Sequence, residues 1–366
     1  MDLDEVYMER VLELAKKGWG TTNPNPLVAA IIVKDGKIIS EGFHQRAGWP
    51  HAEVVAINNA CQSVKGAAMY VNLEPCSHYG RTPPCVNSIV EAGIKKVVIG
   101  MQDPNPKISG RGIQMLKEAG IEVKTDVLLK EACKLNEIFV KYITQKKPFV
   151  IVKWAMTLDG KIASYTGDSK WISSEEAREY VHKIRKRCAA VLVGINTVIK
   201  DNPYLNVRLK DKEHVEKIKI IIDSKGRIPE SSNVICSCDK CKVIYATTSM
   251  ISKEKEEFLI QRGANVLKIE DKTGKVDLNR LMDILYEMGI DSVLIEGGSE
   301  INWCAFESGI VDKVLVFISP KILGGKEAVT AVGGAGKSLI KESFKLKEIS
   351  YANFAEDILI EGYLRK

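Results

Sequence analysis

Hydrophobic and polar positions along this chain follow two alternating periods. Over residues 6–16, Val11, Leu12, Leu14 and Ala15 stand among charges, the spacing of an amphipathic first helix. The stretch Gly-Trp-Gly-Thr-Thr-Asn-Pro-Asn-Pro that follows is dense in breakers and predicts a loop. Apolar runs at 27–33 and 37–43 then flank Asp35-Gly36, a pair suited to a tight hairpin turn. Further on, the pattern predicts helix 52–60, strand 69–74, helix 86–93, strand 95–101, helix 112–120, strand 121–127 and a long helix 129–144. Strands alternating with helices in this way imply a sheet covered by helices. The polar stretch Gln145-Lys146-Lys147-Pro148 ends the series, and the domain boundary is placed there, giving domains 1–145 and 146–366.

The second half restarts with a strand at 148–156. Strands follow at 189–195, 218–223, 241–247, 291–298 and 312–320, and segments 344–352 and 357–364 suit a terminal hairpin. A second α/β domain is therefore expected, with no internal repeat linking the halves.

At 366 residues the chain is long enough for two domains. Its 45% hydrophobic and 27% charged residues are ordinary for a globular protein. The net charge of +6 is too mild to favour nucleic acid, and suits small phosphorylated substrates. The N-terminal segment has no apolar core of a secretory signal, and no apolar run is long enough for a membrane span, so a cytoplasmic protein is expected. There the nine cysteines stay reduced, as core residues, metal ligands or nucleophiles.

One group of residues carries recognisable chemistry. His51-Ala52-Glu53 opens a helix, Pro75-Cys76 closes a strand, and Cys85 opens the next helix. One imidazole and two thiolates give Zn2+ three ligands and leave a fourth position for water. Glu53, on the same turn as His51, is placed to move protons between that water, the ring nitrogen and the departing ammonia. The His-x-Glu…Pro-Cys pattern is that of zinc nucleobase deaminases, although the two cysteines stand further apart than usual. Asn25 has an amide for a pyrimidine edge, His44 closes a strand, and His78 and Arg81 suit a ribose phosphate. Asp103-Pro-Asn105-Pro follows a strand end, a frequent ligand position. Each of these residues also has an ordinary reading in turns, caps or solvated charge.

The stretches Glu-Pro-Cys-Ser-His-Tyr-Gly-Arg-Thr-Pro-Pro-Cys (74–85), Asn-Pro-Asn-Pro-Leu-Val (23–28) and His-Ala-Glu-Val (51–54) resemble the pyrimidine deaminase domain of riboflavin biosynthesis, whose family has this longer insert. Segments 153–163, 167–174, 193–208 and 294–302 resemble the reductase fused to that deaminase. The resemblance implies an N-terminal cytidine-deaminase-like domain, a C-terminal dihydrofolate-reductase-like domain, one zinc per chain on His51, Cys76 and Cys85, and NADPH. Its implied substrates are small phosphorylated pyrimidines: the first domain replaces a 2-amino group by oxygen, and the second reduces the ribosyl group to ribityl. By position, Ser169, Arg185, Leu205, Arg208 and Glu296 are implied to touch that second substrate. Ala155, Trp171, Thr197, Asp201 and Ser224 are implied to touch the cofactor. Lys153, a lysine within an apolar strand, is read as orienting substrate or assisting proton transfer. Gly297-Gly298-Ser299 joins a strand to a helix, so its backbone N–H groups suit a pyrophosphate. A homo-oligomer is expected, of a size the sequence does not give.

Some signals are set aside. Gly-Gly-Ala-Gly-Lys-Ser (333–338) has Ala331 where a P-loop requires glycine, and is read as a loop. Cys236, Cys238 and Cys241 have no evident fourth ligand for a second metal. Cys61, Cys133, Cys188 and Cys304 sit in apolar settings and are read as core. Two rival functions are a nucleic-acid editing deaminase, which demands salt-sensitive RNA binding, and a regulatory protein with a structural zinc, in which Glu53 has no use.

Overall fold

A computed structural model describes residues 2–79, 83–106, 108–209 and 214–365. The chain forms two compact units, Met1–Lys146 and Lys147–Lys366.

The first unit is built on strands β1 (Ala29–Lys34), β2 (Lys37–Phe43), β3 (Ala68–Leu73), β4 (Lys96–Met101) and β5 (Glu122–Lys124), in the order β2-β1-β3-β4-β5. β1 pairs antiparallel with β2 and β3, and β3, β4 and β5 run parallel. Asp35 and Gly36 both take positive φ and close the hairpin as their identities require. Every apolar side chain of β1 is buried because both faces are covered. Ala29, Ile31 and Val33 meet the helix Leu3–Ala15, while Ala30 and Ile32 meet the helices Ala52–Asn58, Cys85–Glu91 and Arg111–Glu118. The first helix starts on an Asp2–Glu5 capping box.

The long helix expected over 129–144 is two helices, Leu129–Leu135 and Glu137–Gln145. Asn136 breaks it: its Oδ1 accepts the Leu27 N–H at 2.8 Å and its Nδ2 donates to the Leu27 carbonyl at 3.1 Å. Asn72 in β3 does the same one step on, accepting from Ala29 and donating to Leu27. Two buried amides thus pin the segment that carries Asn25 into the sheet. Cys61, expected in the core, is exposed because its helix ends at Asn58 and the chain turns out to the surface.

In the second unit the strands are β6 (Phe149–Thr157), β7 (Lys161–Ala163), β8 (Ala190–Gly194), β9 (Val207–Arg208), β10 (His214–Val215), β11 (Ile218–Ile222), β12 (Val243–Thr247), β13 (Asn265–Lys268), β14 (Ser292–Ile295), β15 (Lys313–Ser319), β16 (Val329–Thr330), β17 (Leu346–Phe354) and β18 (Asp357–Leu364). A nine-stranded sheet has the order β13-β12-β11-β8-β14-β6-β15-β18-β17. From β13 to β15 the pairing is parallel; β18 and β17 form the expected terminal hairpin. One core lies on each face of the parallel part. β8, β11 and β14 are adjacent and parallel, so the segments leaving their C-terminal ends emerge side by side. Residues 333–338 form no helix, as a loop reading requires.

Gly42 in β2 sets how closely the helix behind His51 approaches the sheet. A Cβ there would stand 2.4 Å from the Ala56 nitrogen and 2.6 Å from the Ala52 carbonyl oxygen, both backbone atoms that cannot swing aside. Gly42→Ala is expected to destabilise the unit by about 1–3 kcal/mol, as overpacking does, and to reduce zinc retention. Urea denaturation and metal analysis of the purified variant check both; wild-type values for both contradict the packing argument.

Candidate active sites

The first site lies where β3 ends and two helices begin. His51 caps the helix Ala52–Asn58 and Cys85 is the first residue of the helix Cys85–Glu91. The His51 Nδ1, Cys76 Sγ and Cys85 Sγ atoms all lie within 4.8 Å of one another. His51 Nδ1 is 3.2 Å from Cys85 Sγ and 3.4 Å from Cys76 Sγ. The Cys85 N–H donates to Cys76 Sγ at 3.3 Å, one of the free amides of a helix start. A hydrogen bond from the Cys85 thiol draws Cys76 down to about 4, while its own pKa is driven up. One thiolate is therefore favoured before any cation arrives, and a cation recruits the second. The donor set suits zinc with one open position.

Glu53 completes the group. It is buried, and its Oε2 has no hydrogen-bond partner among the described residues. Burial pushes its carboxyl up to about 7. A buried polar atom left unpartnered is expensive, which fits a group kept to meet a ligand. His51, Glu53 and Cys76 line a cleft of 540 Å³ together with Asn25, His44, His78, Asp103 and Asn105. Cys85 lies behind, fully buried. Arg81 falls outside the described residues.

His44 and Asn25 work as a pair. The His44 Nδ1 faces the Pro50 carbonyl at 3.2 Å, so it carries the proton, and burial keeps the ring neutral by lowering its pKa. Nε2 is then an acceptor, and the Asn25 Nδ2 donates to it at 3.1 Å. The Asn25 Oδ1 is left to accept from a ligand in the cleft.

Glu74 was not singled out from the sequence. It is buried, and its two oxygens accept four backbone N–H bonds from Asp103, Gly110, Gly112 and Ile113, at 2.9–3.3 Å. The strand end that leads to Cys76 is thereby tied to the loop that carries Asp103 and Asn105. A carboxylate closing an apolar strand was the one available signal.

The second site gathers at the C-terminal ends of the parallel strands, the usual ligand edge of such sheets. A cleft of 370 Å³ is lined by Lys153, Ala155, Ser169, Trp171, Arg185, Thr197, Asp201, Arg208, Glu296, Gly297 and Gly298. A larger cleft of 1070 Å³ shares Ser169, Thr197, Asp201 and Gly298 with it, and adds Ser224 and Ser299. Gly298 caps the helix Ser299–Glu307, and Gly297 holds a φ of 98°, which favours glycine. The free amides of that helix start, together with the size of the cleft, fit a dinucleotide.

One residue differs from expectation here. Leu205 lines neither cleft: its side chain is buried in the core with Val191 and Val193. Arg185 lines the smaller cleft with its guanidinium paired. Its Nε and Nη2 donate to the two Glu296 oxygens at 2.5 and 2.6 Å, and its Nη1 donates to the Asn206 carbonyl. The guanidinium and carboxylate neutralise each other in a buried fork, which fixes both in place. Lys153 is half-buried near this pair. Desolvation, with a smaller push from Arg185 against the pull of Glu296, lowers its ammonium below the usual lysine range.

His182 escaped notice in the sequence. Arg178, His182 and Arg185 recur at i, i+4 and i+7 on the helix Glu175–Arg187, and all three line the smaller cleft. The Arg208 N–H donates to His182 Nδ1 at 3.2 Å. Burial, then the neighbouring Arg185 and Arg208, hold His182 down to about 4, so it is neutral at ordinary pH. Trp171 is 64% exposed, with the Arg178 guanidinium 4.5 Å from its ring centre. His51, Cys76 and Cys85 form the one metal-suited group among the described residues. No helix among the described residues is long and apolar enough to cross a membrane.

Comparison with known proteins finds a family for each unit. Residues 1–101 match the cytidine and deoxycytidylate deaminase zinc-binding region, and residues 148–360 match the RibD C-terminal domain. The chain is 45% identical to riboflavin biosynthesis protein RibD of Actinobacillus pleuropneumoniae, over 98% of this chain and 94% of that protein. It is 44% identical to RibD of Aquifex aeolicus, over 98% of each. Among solved structures, Acinetobacter baumannii RibD is similar with a TM-score of 0.88 at 36% identity, covering 100% of this chain and 99% of that one. A Thermotoga maritima diaminohydroxyphosphoribosylaminopyrimidine deaminase/5-amino-6-(5-phosphoribosylamino)uracil reductase is similar with a TM-score of 0.85 at 40% identity, covering 99% of each. Full-length agreement over both units, in the same order, shows that this chain belongs to the RibD family and is a bifunctional deaminase–reductase of riboflavin biosynthesis.

Proposed function

We propose that residues 1–145 hydrolyse the 2-amino group of 2,5-diamino-6-(5-phosphoribosylamino)pyrimidin-4-one, and that residues 146–366 then reduce the ribosyl group of 5-amino-6-(5-phosphoribosylamino)uracil to ribityl. The observation that carries this reading is the convergence of His51, Cys76 and Cys85 beside a buried Glu53 oxygen with no partner.

In this reading His51, Cys76 and Cys85 hold zinc. A zinc ion held there would supply a water acidic enough to act as nucleophile near neutral pH. Glu53 takes the first proton of the attacking water and passes it to the ring nitrogen, then carries the second, from the hydroxyl now bonded to carbon, to the leaving amine, so that the carbonyl forms and ammonia departs. Asn25, oriented by His44, accepts from the pyrimidine edge. His78, Asp103 and Asn105 line the remaining wall, and Arg81 is assigned to the phosphate end.

For the second step, NADPH supplies the hydride that reduces the opened sugar. The cofactor is held by Ala155, Trp171, Thr197, Asp201, Ser224 and the Gly297–Ser299 turn. Ser169, Arg208 and the fixed Arg185–Glu296 pair position the substrate, and the backbone at Leu205 supports it from below. Lys153, with its lowered pKa, gives up a proton more readily than an ordinary lysine and is the proton donor. We place this chemistry in the cytoplasm, where free thiols persist. A homo-oligomer is proposed as well: Ile349 and Tyr351 on the edge strand β17 are 47% and 69% exposed.

The two sites use separate residues, so each should fail alone. Glu53→Gln is expected to lower deamination by about three orders of magnitude or more, the scale of a lost acid–base group and its stored orientation, with zinc content and reduction of supplied deaminated substrate unchanged. Ammonia release, metal analysis and NADPH oxidation on the same sample test this. Loss of both activities in a folded, zinc-containing variant contradicts it.

Conversely, Glu296→Gln unpairs the Arg185 guanidinium in a buried setting. Reduction is expected to fall by about tenfold to a hundredfold, the cost of an uncompensated buried charge near the substrate, while ammonia release stays at the wild-type rate. Steady-state assays of each half-reaction decide; an unimpaired reductase removes the pair from the site.

A further inference from the structure

One wall of the smaller cleft belongs to no helix or strand. Ser169, Trp171, Ile172 and Ser173 all line that cleft, and they lie between β7 and the helix Glu175–Arg187. Among the described residues, no backbone-to-backbone hydrogen bond holds residues 169–173. Side chains hold the wall instead. Lys321 Nζ donates to the carbonyls of Trp171 and Ile172 at 2.9 and 2.8 Å. Arg178 Nη1 donates to the Ser173 carbonyl, and the same guanidinium lies against the Trp171 ring. Three successive carbonyls are thus each taken by a cationic side chain. The next residue is the anchor: the Ser174 N–H donates to Asp357 Oδ2 at 2.6 Å, and its hydroxyl donates to the Phe354 carbonyl at 3.1 Å.

Lys321 reaches this wall from the far side of the sequence, 150 residues from Trp171. It follows β15 and is exposed. Its own backbone is fixed. The Leu158 N–H donates to the Lys321 carbonyl at 2.8 Å, and the Leu323 and Gly324 N–H groups donate to the Asp159 carboxylate at 3.0 and 2.7 Å. The ammonium therefore extends from a rigid base. Two neighbouring carbonyl oxygens that converge on one point repel each other, because both carry partial negative charge. A cation between them removes that cost, and an ammonium is a compact charge with three donors. The backbone shape at Trp171 and Ile172 thus depends on a charge that neither residue supplies.

We propose that Lys321 is a positioning residue for the reduction: by bridging the Trp171 and Ile172 carbonyls it sets the wall that Trp171 gives to the cleft of Lys153 and the Arg185–Glu296 pair. This rests on the reading that the nicotinamide and the second substrate meet in the smaller cleft. Trp171 lines that cleft and not the larger one, where the rest of the dinucleotide is placed. Loosening the wall therefore disturbs the alignment for hydride transfer more than the hold on the cofactor. A reactant that is bound but slightly out of line reacts slowly.

The test uses the full chain, supplied deaminated substrate and NADPH. Steady-state reduction is compared for the wild type, Lys321→Met, Lys321→Arg, Trp171→Ala and Lys321→Met/Trp171→Ala, with a melting curve for each as the folding control. Lys321→Met keeps the length of the side chain and removes its charge. Its kcat for reduction should fall by about tenfold or more, the scale of a misplacement at a reacting centre, while its KM for NADPH stays within about twofold and its ammonia release is unchanged. Lys321→Arg still offers N–H groups to both carbonyls and should recover most of the lost kcat. The double variant should be no slower than Trp171→Ala, because Lys321 acts through Trp171. Wild-type kcat in Lys321→Met beside a slow Trp171→Ala overturns the role of Lys321 and leaves the site reading intact. Lys321→Arg kinetics as slow as those of Lys321→Met overturn the bridge too, and so does a raised KM with kcat unchanged, since the wall would then only hold the cofactor. Wild-type kcat in Trp171→Ala removes Trp171 from the site and overturns the reading on which the bridge depends.

Discussion

A buried carboxylate oxygen without a hydrogen-bond partner costs about 1–3 kcal/mol, and the first unit keeps one in Glu53 Oε2, in the lining of its cleft. Its surroundings are arranged to hold that position. Gly42 lets the helix behind His51 sit directly on β2. Asn72 and Asn136 pin the backbone at Leu27, and so the loop that carries Asn25. Glu74 ties the Cys76 strand end to the Asp103 loop. Buried polar side chains that serve backbone groups thus hold the segments of a cleft in which one carboxylate oxygen, Glu53 Oε2, serves none. The same pattern distinguishes a structural zinc from a reactive one: three ligands and a neighbouring unpartnered acid leave work to be done at the fourth position.

The second unit solves a different problem. Its ligands must lie across the C-terminal ends of several parallel strands, so the chemistry is spread over segments far apart in sequence. Lys153 on β6, Thr197 after β8, Ser224 after β11 and Glu296 after β14 meet because those strands are neighbours. The Arg185–Glu296 fork joins a helix to a strand end and fixes the middle of the site. Lys153 and His182 both sit in its field, and both are shifted toward the neutral form by burial.

Much of this was legible in the sequence, for physical reasons. Two-sided burial makes β1 an unbroken apolar run, and Asp35-Gly36 can scarcely do anything but turn. The zinc-suited residues stand at helix starts and a strand end, where spacing alone brings them together. What stayed hidden depends on contacts between distant segments. Asn136 looked like one polar position in a helix until its amide found Leu27. Nothing in the sequence pairs Arg185 with Glu296, whose carboxylate takes up its guanidinium 111 residues away. Leu205 was carried over by position, and its side chain belongs to the core. Neither the Lys321 bridge to Trp171 and Ile172 nor the four amides gathered by Glu74 leaves a local signature, because each joins segments with ordinary sequences.

The central claim is that one chain performs hydrolysis first and reduction second, at independent sites. The most direct test gives the purified, zinc-loaded protein the diaminopyrimidinone ribosyl phosphate, with and without NADPH, and follows ammonia and NADPH absorbance together. Ammonia should appear at the same rate in both samples, and NADPH oxidation should lag until deaminated product accumulates. NADPH oxidation that precedes ammonia, or ammonia release that requires NADPH, would contradict the account.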